Sequence, residues 1–212
     1  MDTVVHVLRH GEVHNPTKVL YGRLPDFHLS ERGQAMAARV ADYLGGHDIA
    51  AVVASPLERA QETAGPIASA HQVPIGVDDR LIEAGNVFEG QRVSVGDGVL
   101  RRPSAWRHLY DPFTPSWGEP YNEIARRMRD AVVSARDAHR GRESVLVSHQ
   151  LPVWIARLSA ESRRLWHNPQ YRQCALASLT TFTFDDTRLV AISYTEPARD
   201  LLTADDLTAR GA

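Results

Sequence analysis

The chain has 212 residues, 43% of them apolar, which is enough for one compact domain with a sizeable core. Its 24 basic and 26 acidic residues give a formal charge of -2, so we expect neither nucleic acid nor an anionic membrane as a partner. Cys174 is the only cysteine, which excludes an intramolecular disulfide and a cysteine-based zinc site and favours the reducing cytoplasm.

The first apolar run covers residues 3–8 and is too short for a membrane span or a signal peptide. Its β-branched composition is typical of a strand that is buried on both faces, and it ends at Arg9-His10-Gly11. Ser30 then predicts the N-cap of an amphipathic helix, which Gly45-Gly46 ends.

A second strand and a second helix follow. The strand covers residues 50–54 and leads into Ser55-Pro56-Leu57-Glu58, which predicts an N-cap at Ser55 and a capping box closed by Glu58. Arg59 then falls in the first helical turn. Residues 73–77 predict a third, short strand, and this alternation of strands and helices predicts an α/β fold with a mostly parallel sheet.

The second half of the chain contains one segment without a clear period, residues 86–117, where we expect short helices and loops. A long amphipathic helix begins at Asn122, and the strand after it, residues 144–148, ends at His149. Two further strands are predicted on either side of a tight turn at Asp185-Asp186.

These elements predict a three-layer α/β/α sandwich that forms a single domain over residues 1–212, with residues 86–117 inserted over the active site. Ligands of such folds bind beyond the carboxyl ends of the parallel strands, so the features that follow strands should converge there. Four features follow strands and are expected to converge: Arg9-His10-Gly11-Glu12, Arg59, Glu83 and Ser148-His149.

The order and context of these motifs match a known family. The matching stretches are Leu8-Arg9-His10-Gly11-Glu12, Tyr21-Gly22-Arg23 through Leu29-Ser30-Glu31-Arg32-Gly33, Ser55-Pro56-Leu57-Glu58-Arg59-Ala60-Gln61-Glu62-Thr63-Ala64, Leu81-Ile82-Glu83 with Phe88-Glu89-Gly90, and Val147-Ser148-His149. Together they resemble the histidine phosphatase superfamily, also called phosphoglycerate mutase-like, over residues 4–155.

The resemblance implies a role for each residue. His10 would attack the phosphoryl group and form a phosphohistidine that water then hydrolyses. Arg9 and Arg59 would bind the phosphate oxygens, because a guanidinium stays charged and forms paired hydrogen bonds to phosphate. His149 would be a further phosphate contact as an imidazolium, and Glu83 would be the proton donor, since a nearby phosphate raises the pKa of both groups.

Several departures from the family pattern border this pocket. Gln150 stands where the family often has glycine, and Gly118-Glu119-Pro120 stands where it has Gly-Glu-Ser. Asn15 matches the family's asparagine only loosely, and we predict both Asn15 and Gln150 as substrate contacts. The run Glu83-Ala84-Gly85-Asn86 lacks the Glu-Arg-His-Tyr-Gly of cofactor-dependent mutases, which favours a phosphatase.

The predicted function is therefore hydrolysis of phosphomonoesters without a metal or a cofactor. A mutase-type phosphoryl transferase and a catalytically silent phospho-ligand binder are the alternatives. The spacing of His6, His10 and His14 would suit a metal site on a helix, but their strand-like context makes this a minor alternative. We expect a phosphorylated small molecule as substrate, although residues 92–117 do not select its class, and a homodimer is possible.

Overall fold

The computed structural model describes residues 2–91, 118–204 and 206, and these contain one six-stranded sheet. The strands are β1 (Thr3–Arg9), β2 (Ile49–Ala54), β3 (Ile75–Val77), β4 (Glu143–Ser148), β5 (Leu179–Asp185) and β6 (Arg188–Thr195). Their order in the sheet is β3-β2-β4-β1-β5-β6. Strands β3, β2, β4 and β1 are parallel to one another, whereas β5 is antiparallel to β1 and β6 is antiparallel to β5. The predicted mostly parallel sheet is confirmed.

Helices cover both faces of this sheet. Helices α1 (Glu31–Leu44) and α2 (Glu58–His71) pack on one face, and α3 (Tyr121–Ala138) and α4 (Gln150–Ala160) pack on the other. Successive side chains of a strand point to opposite faces. Val7 of β1 accordingly belongs to the core under α3 and α4, whereas Leu8 belongs to the core under α1 and α2. The predicted α/β/α sandwich is confirmed.

Helix α1 begins and ends where its sequence predicts. The hydroxyl of Ser30 accepts a hydrogen bond from the backbone N–H of Gly33 at 3.0 Å, which satisfies one of the free donors of the first turn. Met36, Val40 and Leu44 are fully buried on one helical face. The helix thus holds the segment before it against the end of β1, where the first motif lies.

The predicted capping box of the second helix is wrong. Helix α2 begins at Glu58, its N-cap is Leu57, and no side chain caps it. Ser55 is fully buried at the end of β2, and its hydroxyl lies 2.8 Å from Nε2 of His149 instead of capping the helix. Arg59 does lie in the first turn of α2, as predicted.

The predicted insertion, residues 86–117, falls mainly on residues 92–117, which lie outside the described residues. Its two ends are adjacent, because Asn86 and Gly118 form an isolated antiparallel bridge. That residues 86–117 cover the active site stays a prediction. Of the helices that the structure describes, none is both long enough and apolar enough to cross a membrane.

Candidate active site

His10 immediately follows β1, where its backbone N–H donates to the carbonyl of Ser148 at 3.0 Å. Its ring Nδ1 lies 2.7 Å from the carbonyl oxygen of Gly11. A carbonyl only accepts hydrogen bonds, so Nδ1 carries the proton and Nε2 keeps its lone pair. Burial lowers the pKa of His10 well below its ordinary value, and the charges of Arg59 and Arg9 lower it further. The ring is therefore neutral, as a nucleophile must be.

Gly11 is required by the close packing of the loop that follows His10. A Cβ atom at this position would lie 2.6 Å from the carbonyl oxygen of Gly33, a distance that real Cβ atoms do not reach. Its backbone N–H donates to the hydroxyl of Thr63 at 3.1 Å, and that hydroxyl donates to the carbonyl of Arg59 at 2.7 Å. The loop of the nucleophile and the first turn of α2 are thereby fixed to each other.

Two buried guanidinium groups flank His10. Arg59 is fully buried, donates from Nη2 to the carbonyl of Gly22 at 2.6 Å, and lies 4.8 Å from the ring centre of Tyr21. Arg9 donates from Nη1 to the carbonyl of Cys174 at 2.7 Å. Nε of both residues and Nη1 of Arg59 are buried without a hydrogen-bond partner. Because unpaired buried donors and charges are costly, these groups mark a binding site for an anion.

His149 completes the group around His10. It is the residue before helix α4, and its ring centre lies 5.1 Å from that of His10. Burial lowers the pKa of His149 well below its ordinary value, and the charges of His10 and Arg59 add to this. The protein surroundings of His149 therefore favour the neutral imidazole over the expected imidazolium, which a bound anion would favour.

Glu83 lies in the loop after the short 3-10 helix Asp79–Leu81. Its Oε1 accepts a hydrogen bond from the backbone N–H of Ala84 at 2.8 Å. Burial raises the pKa of Glu83, and this effect exceeds the opposing effects of the Ala84 hydrogen bond and of the nearby arginine charges. The carboxyl group therefore keeps its proton to a higher pH than an exposed glutamate does, and the protonated form is the one that a proton donor needs.

The two predicted substrate contacts differ in their surroundings. Gln150 is the buried first residue of α4, directly after His149, and its Oε1 accepts a hydrogen bond from Arg172 at 3.2 Å. Asn15 is bound within its own loop, because its amide donates to the carbonyl of Val19 at 2.8 Å and its Oδ1 accepts from the N–H of Val19 at 3.2 Å. A substrate contact for each stays a prediction.

Sequence reasoning missed three residues of this site. Ser55 forms a hydrogen bond with His149, whereas its sequence context had predicted an N-cap. Thr63 accepts a hydrogen bond from the loop of His10, a contact for which its sequence context gave no signal. Arg172 joins Gln150 from a segment after α4 that carries no periodic pattern, so no sequence signal could have found it.

A second cluster contains the only group of possible metal ligands found among residues 2–91, 118–204 and 206: His6, His47 and Glu143. It lies at the opposite end of the sheet, because Glu143 begins β4 and His149 follows its end. One carboxylate oxygen of Glu143 lies 2.7 Å from Nε2 of His6 and 2.8 Å from Nδ1 of His47. These are hydrogen-bond distances, whereas two ligands of a tetrahedral zinc ion lie about 3.3 Å apart. His6 therefore lies with His47 and Glu143, and not with His10 and His14 as the minor metal-site alternative required.

Comparison with known proteins agrees with this geometry. Residues 5–197 match the family model of the histidine phosphatase superfamily (branch 1). The chain is 59% identical to the uncharacterized protein Rv0525 of Mycobacterium tuberculosis over 93% of this chain and 98% of that protein. It is 30% identical to the probable phosphoglycerate mutase GpmB of Shigella boydii over 72% of this chain and 78% of that protein.

Solved structures are similar over nearly the whole chain. YhfR of Bacillus stearothermophilus is 27% identical with a TM-score of 0.74, and the match covers 90% of this chain and 96% of that one. A mycobacterial glucosyl-3-phosphoglycerate phosphatase, in a complex with VO3, is 25% identical with a TM-score of 0.71, and here the match covers 91% and 96%.

Proposed function

The chain belongs to branch 1 of the histidine phosphatase superfamily, and from this membership we propose that it hydrolyses phosphate monoesters through a phosphohistidine on His10. One observation carries the proposal: a buried, neutral imidazole, whose Nε2 keeps its lone pair, lies near two buried guanidinium groups, Arg9 and Arg59, that have unpaired N–H donors. A nucleophile for phosphorus and a receptor for its oxygens therefore occur side by side.

In the first step, Nε2 of His10 attacks phosphorus, and an N–P bond forms as the bond between phosphorus and the ester oxygen breaks. The leaving oxygen takes the proton of Glu83, so that an alcohol departs rather than an alkoxide. The raised pKa of Glu83 supports this assignment, because it keeps the carboxyl group protonated to a higher pH. An approaching phosphate dianion would raise this pKa further.

The positive groups act on the charge of the transferred phosphoryl group. Its equatorial oxygens would accept hydrogen bonds from the unpaired N–H groups of Arg9 and Arg59. These buried donors would thereby gain the hydrogen-bond partners that they lack. His149, whose ring centre lies 5.1 Å from that of His10, would gain a proton as the phosphate enters and would then donate a third hydrogen bond.

In the second step, the carboxylate of Glu83 takes a proton from water, and the water oxygen attacks phosphorus. The N–P bond breaks, inorganic phosphate leaves, and His10 returns to its neutral state. The hydrogen bond from Nδ1 of His10 to Gly11 persists through both steps and keeps Nε2 directed at phosphorus.

We assign this chemistry to the side chains alone, without a metal. The charge that a metal ion would supply is already provided by two guanidinium groups that are buried at the site. The possible metal ligands His6, His47 and Glu143 belong to the other end of the sheet.

A phosphatase assay with p-nitrophenyl phosphate tests the proposal. We expect hydrolysis that is unchanged by an excess of EDTA and abolished in His10→Ala. Loss of activity with the chelator would contradict the metal-free mechanism. Unchanged activity in His10→Ala would contradict the assignment of the nucleophile.

A mutase-type phosphoryl transferase is the second candidate, because the chain is 30% identical to a probable phosphoglycerate mutase. A mutase must protect its phosphoenzyme from water long enough to return the group to a second oxygen. Decay of a labelled phosphoenzyme within seconds in the absence of substrate would favour the phosphatase. A catalytically silent binder would instead retain phosphate tightly and show no turnover.

The substrate is proposed to be a phosphorylated small molecule, as it is for the similar mycobacterial glucosyl-3-phosphoglycerate phosphatase. We also propose that the protein acts in the cytoplasm. Its single cysteine, Cys174, is buried, and burial raises the pKa of that thiol to about 11, so it suits a role in packing rather than in a disulfide. A homodimer stays a prediction.

A further inference from the structure

Arg172 lies beside the catalytic group, in the segment between α4 and β5. Its Nη1 is 3.2 Å from Oε1 of Gln150, the residue after His149. Two residues further along, the carbonyl of Cys174 accepts the hydrogen bond from Arg9. The guanidinium of Arg172 is therefore held at the edge of the site, on the side of α4.

A directional chain of hydrogen bonds fixes this guanidinium. Nδ1 of His167 lies 2.7 Å from the carbonyl oxygen of Leu165, so Nδ1 carries the ring proton and Nε2 is an acceptor. Nε of Arg172 donates to this Nε2 at 2.8 Å. The ring of His167 is packed against Tyr121 and Trp154, with ring centres 5.6 and 6.0 Å away. Such a supported arrangement positions Arg172 rather than leaving it free to rotate.

The two hydrogen-bond partners of the Arg172 guanidinium, His167 and Gln150, are neutral. Within residues 2–91, 118–204 and 206, no carboxylate forms an ion pair with it, whereas most other arginines of this part of the chain have one. Burial lowers the pKa of Arg172, and the charge of Glu83 acts in the opposite direction, which places the two groups near each other. A partly buried guanidinium without a counter-ion favours the binding of an anion.

Resting on the proposed phosphatase function, we propose that Arg172 forms a second anion subsite, which binds a carboxylate of the substrate next to the phosphoryl group that His10 receives. A guanidinium has five N–H groups, and the bonds to His167 and Gln150 use the one of Nε and one of Nη1, which leaves three on Nη1 and Nη2 to donate to a ligand. A planar guanidinium matches the geometry of a carboxylate. Gln150 is the positioning residue, because its Oε1 accepts the hydrogen bond from Nη1 of Arg172.

The subsite selects phosphorylated carboxylic acids over phosphomonoesters of the same size without the acid group. Two matched pairs differ in this group: phosphoserine against phosphoethanolamine, and 3-phosphoglycerate against glycerol 3-phosphate. We expect the wild-type chain to have a kcat/KM about 10- to 100-fold higher for the carboxylate member of each pair, the effect of one charged, paired hydrogen bond.

Kinetics of Arg172→Gln, with Arg164→Gln as the matched control, test the subsite. Arg164 is an exposed arginine of the same segment. In Arg172→Gln we expect KM to rise about 10- to 100-fold for the two carboxylates and kcat/KM to change by less than about 3-fold for the other two substrates. Arg164→Gln should match the wild type on all four. Equal losses on both members of a pair would overturn the proposal, because Arg172 would then act at the phosphoryl group or in folding.

Binding measurements separate this proposal from the phosphatase function itself. Calorimetric titration of His10→Ala with phosphoserine and phosphoethanolamine needs no turnover. Tighter binding of phosphoserine, lost in His10→Ala/Arg172→Gln, would support the subsite even if the wild-type chain hydrolysed none of the four compounds. Equal affinity for both compounds in His10→Ala would overturn it, even for an active phosphatase.

Discussion

Strand β1 contains His6 at its centre, and His10 directly follows its last residue. The two histidines have opposite surroundings. His6 bonds the carboxylate of Glu143 at 2.7 Å and the hydroxyl of Thr181 at 2.9 Å, so both of its ring nitrogens have partners. His10 forms a hydrogen bond to one carbonyl through Nδ1 and is affected by the charges of Arg59 and Arg9. A carboxylate and a hydroxyl occupy both ring nitrogens of His6, whereas burial and cationic neighbours keep His10 neutral with a lone pair available.

The same contrast extends to the arginines at the two ends of the sheet. Near the amino end of β4, Arg142 pairs with Asp48 at 2.6 Å and Arg140 with Asp186. Near its carboxyl end, Arg9, Arg59 and Arg172 have no carboxylate partner within the described part of the chain. The arginine charges at the amino end are thus paired within the fold, whereas those at the carboxyl end require a ligand as counter-ion. Such unpaired groups lower stability and are retained where function needs them.

Replacing each histidine by alanine should give the largest contrast. In His10→Ala we expect kcat to fall by about 10⁴-fold or more, because the nucleophile is lost. His6→Ala should retain kcat within about 3-fold and lose about 1–3 kcal/mol of stability, because Glu143 and Thr181 lose a buried partner. Steady-state kinetics and urea unfolding of both variants measure this. A large loss of kcat in a folded His6→Ala chain would break the comparison.

Removal of the charge from Arg59 should lower activity and raise stability. In Arg59→Met we expect kcat/KM to fall by about 10²- to 10³-fold, because an oxyanion loses its donors. Without phosphate, the variant should be about 1 kcal/mol more stable than the wild type, since an unpaired buried charge is gone. Thermal unfolding with and without inorganic phosphate checks this, and phosphate should stabilise only the wild type. A less stable variant that phosphate still stabilises would contradict the anion site.

The pH dependence of kcat/KM should report the opposite pKa shifts of two groups. The proposed mechanism needs neutral His10, whose pKa is well below 6.5, and protonated Glu83, whose pKa is raised above 4.5. Activity should therefore persist as the pH falls below 6.5, and it should decline as the pH rises through the raised pKa of Glu83. In Glu83→Gln we expect kcat/KM, which reports the first step and not hydrolysis of the phosphoenzyme, to fall about 10²-fold for alkyl phosphates and much less for p-nitrophenyl phosphate, whose phenolate leaves without a proton. Equal losses for both substrates would exclude Glu83 as the acid.

The smallest effect is expected at the amino end of the sheet. Burial raises the pKa of Glu143, but the hydrogen bonds from His6 and His47 outweigh it and leave this pKa below its ordinary value of 4.5. A carboxylate with a lowered pKa contributes stability above the unfolded pKa, and this contribution is lost as the pH falls through the folded value. Glu143→Gln should thus be less stable by about 1–2 kcal/mol at pH 7, and the difference should shrink below pH 4.5 in unfolding experiments. Activity should not change.

The sequence predicts much of this fold because its signals are local. The β-branched run of β1, the Ser30 cap and the amphipathic face of α3 each depend on neighbouring residues, and each is confirmed. Ser55 shows the limit of such reasoning. Its sequence context fits an N-cap, but its hydroxyl bonds His149 from 94 positions away. Arg172 was missed for the same reason, because its contacts with Gln150 and His167 arise only when the chain has folded.

Trapping of the phosphoenzyme tests the central claim most directly. The wild-type chain is mixed with a ³²P-labelled phosphomonoester, quenched in alkali within milliseconds, and digested for identification of the labelled peptide. We predict a label that is stable in alkali and labile in acid, carried by the peptide that contains His10, and absent from His10→Ala. A label on another residue, or turnover in which no labelled protein forms at any time, would contradict the account.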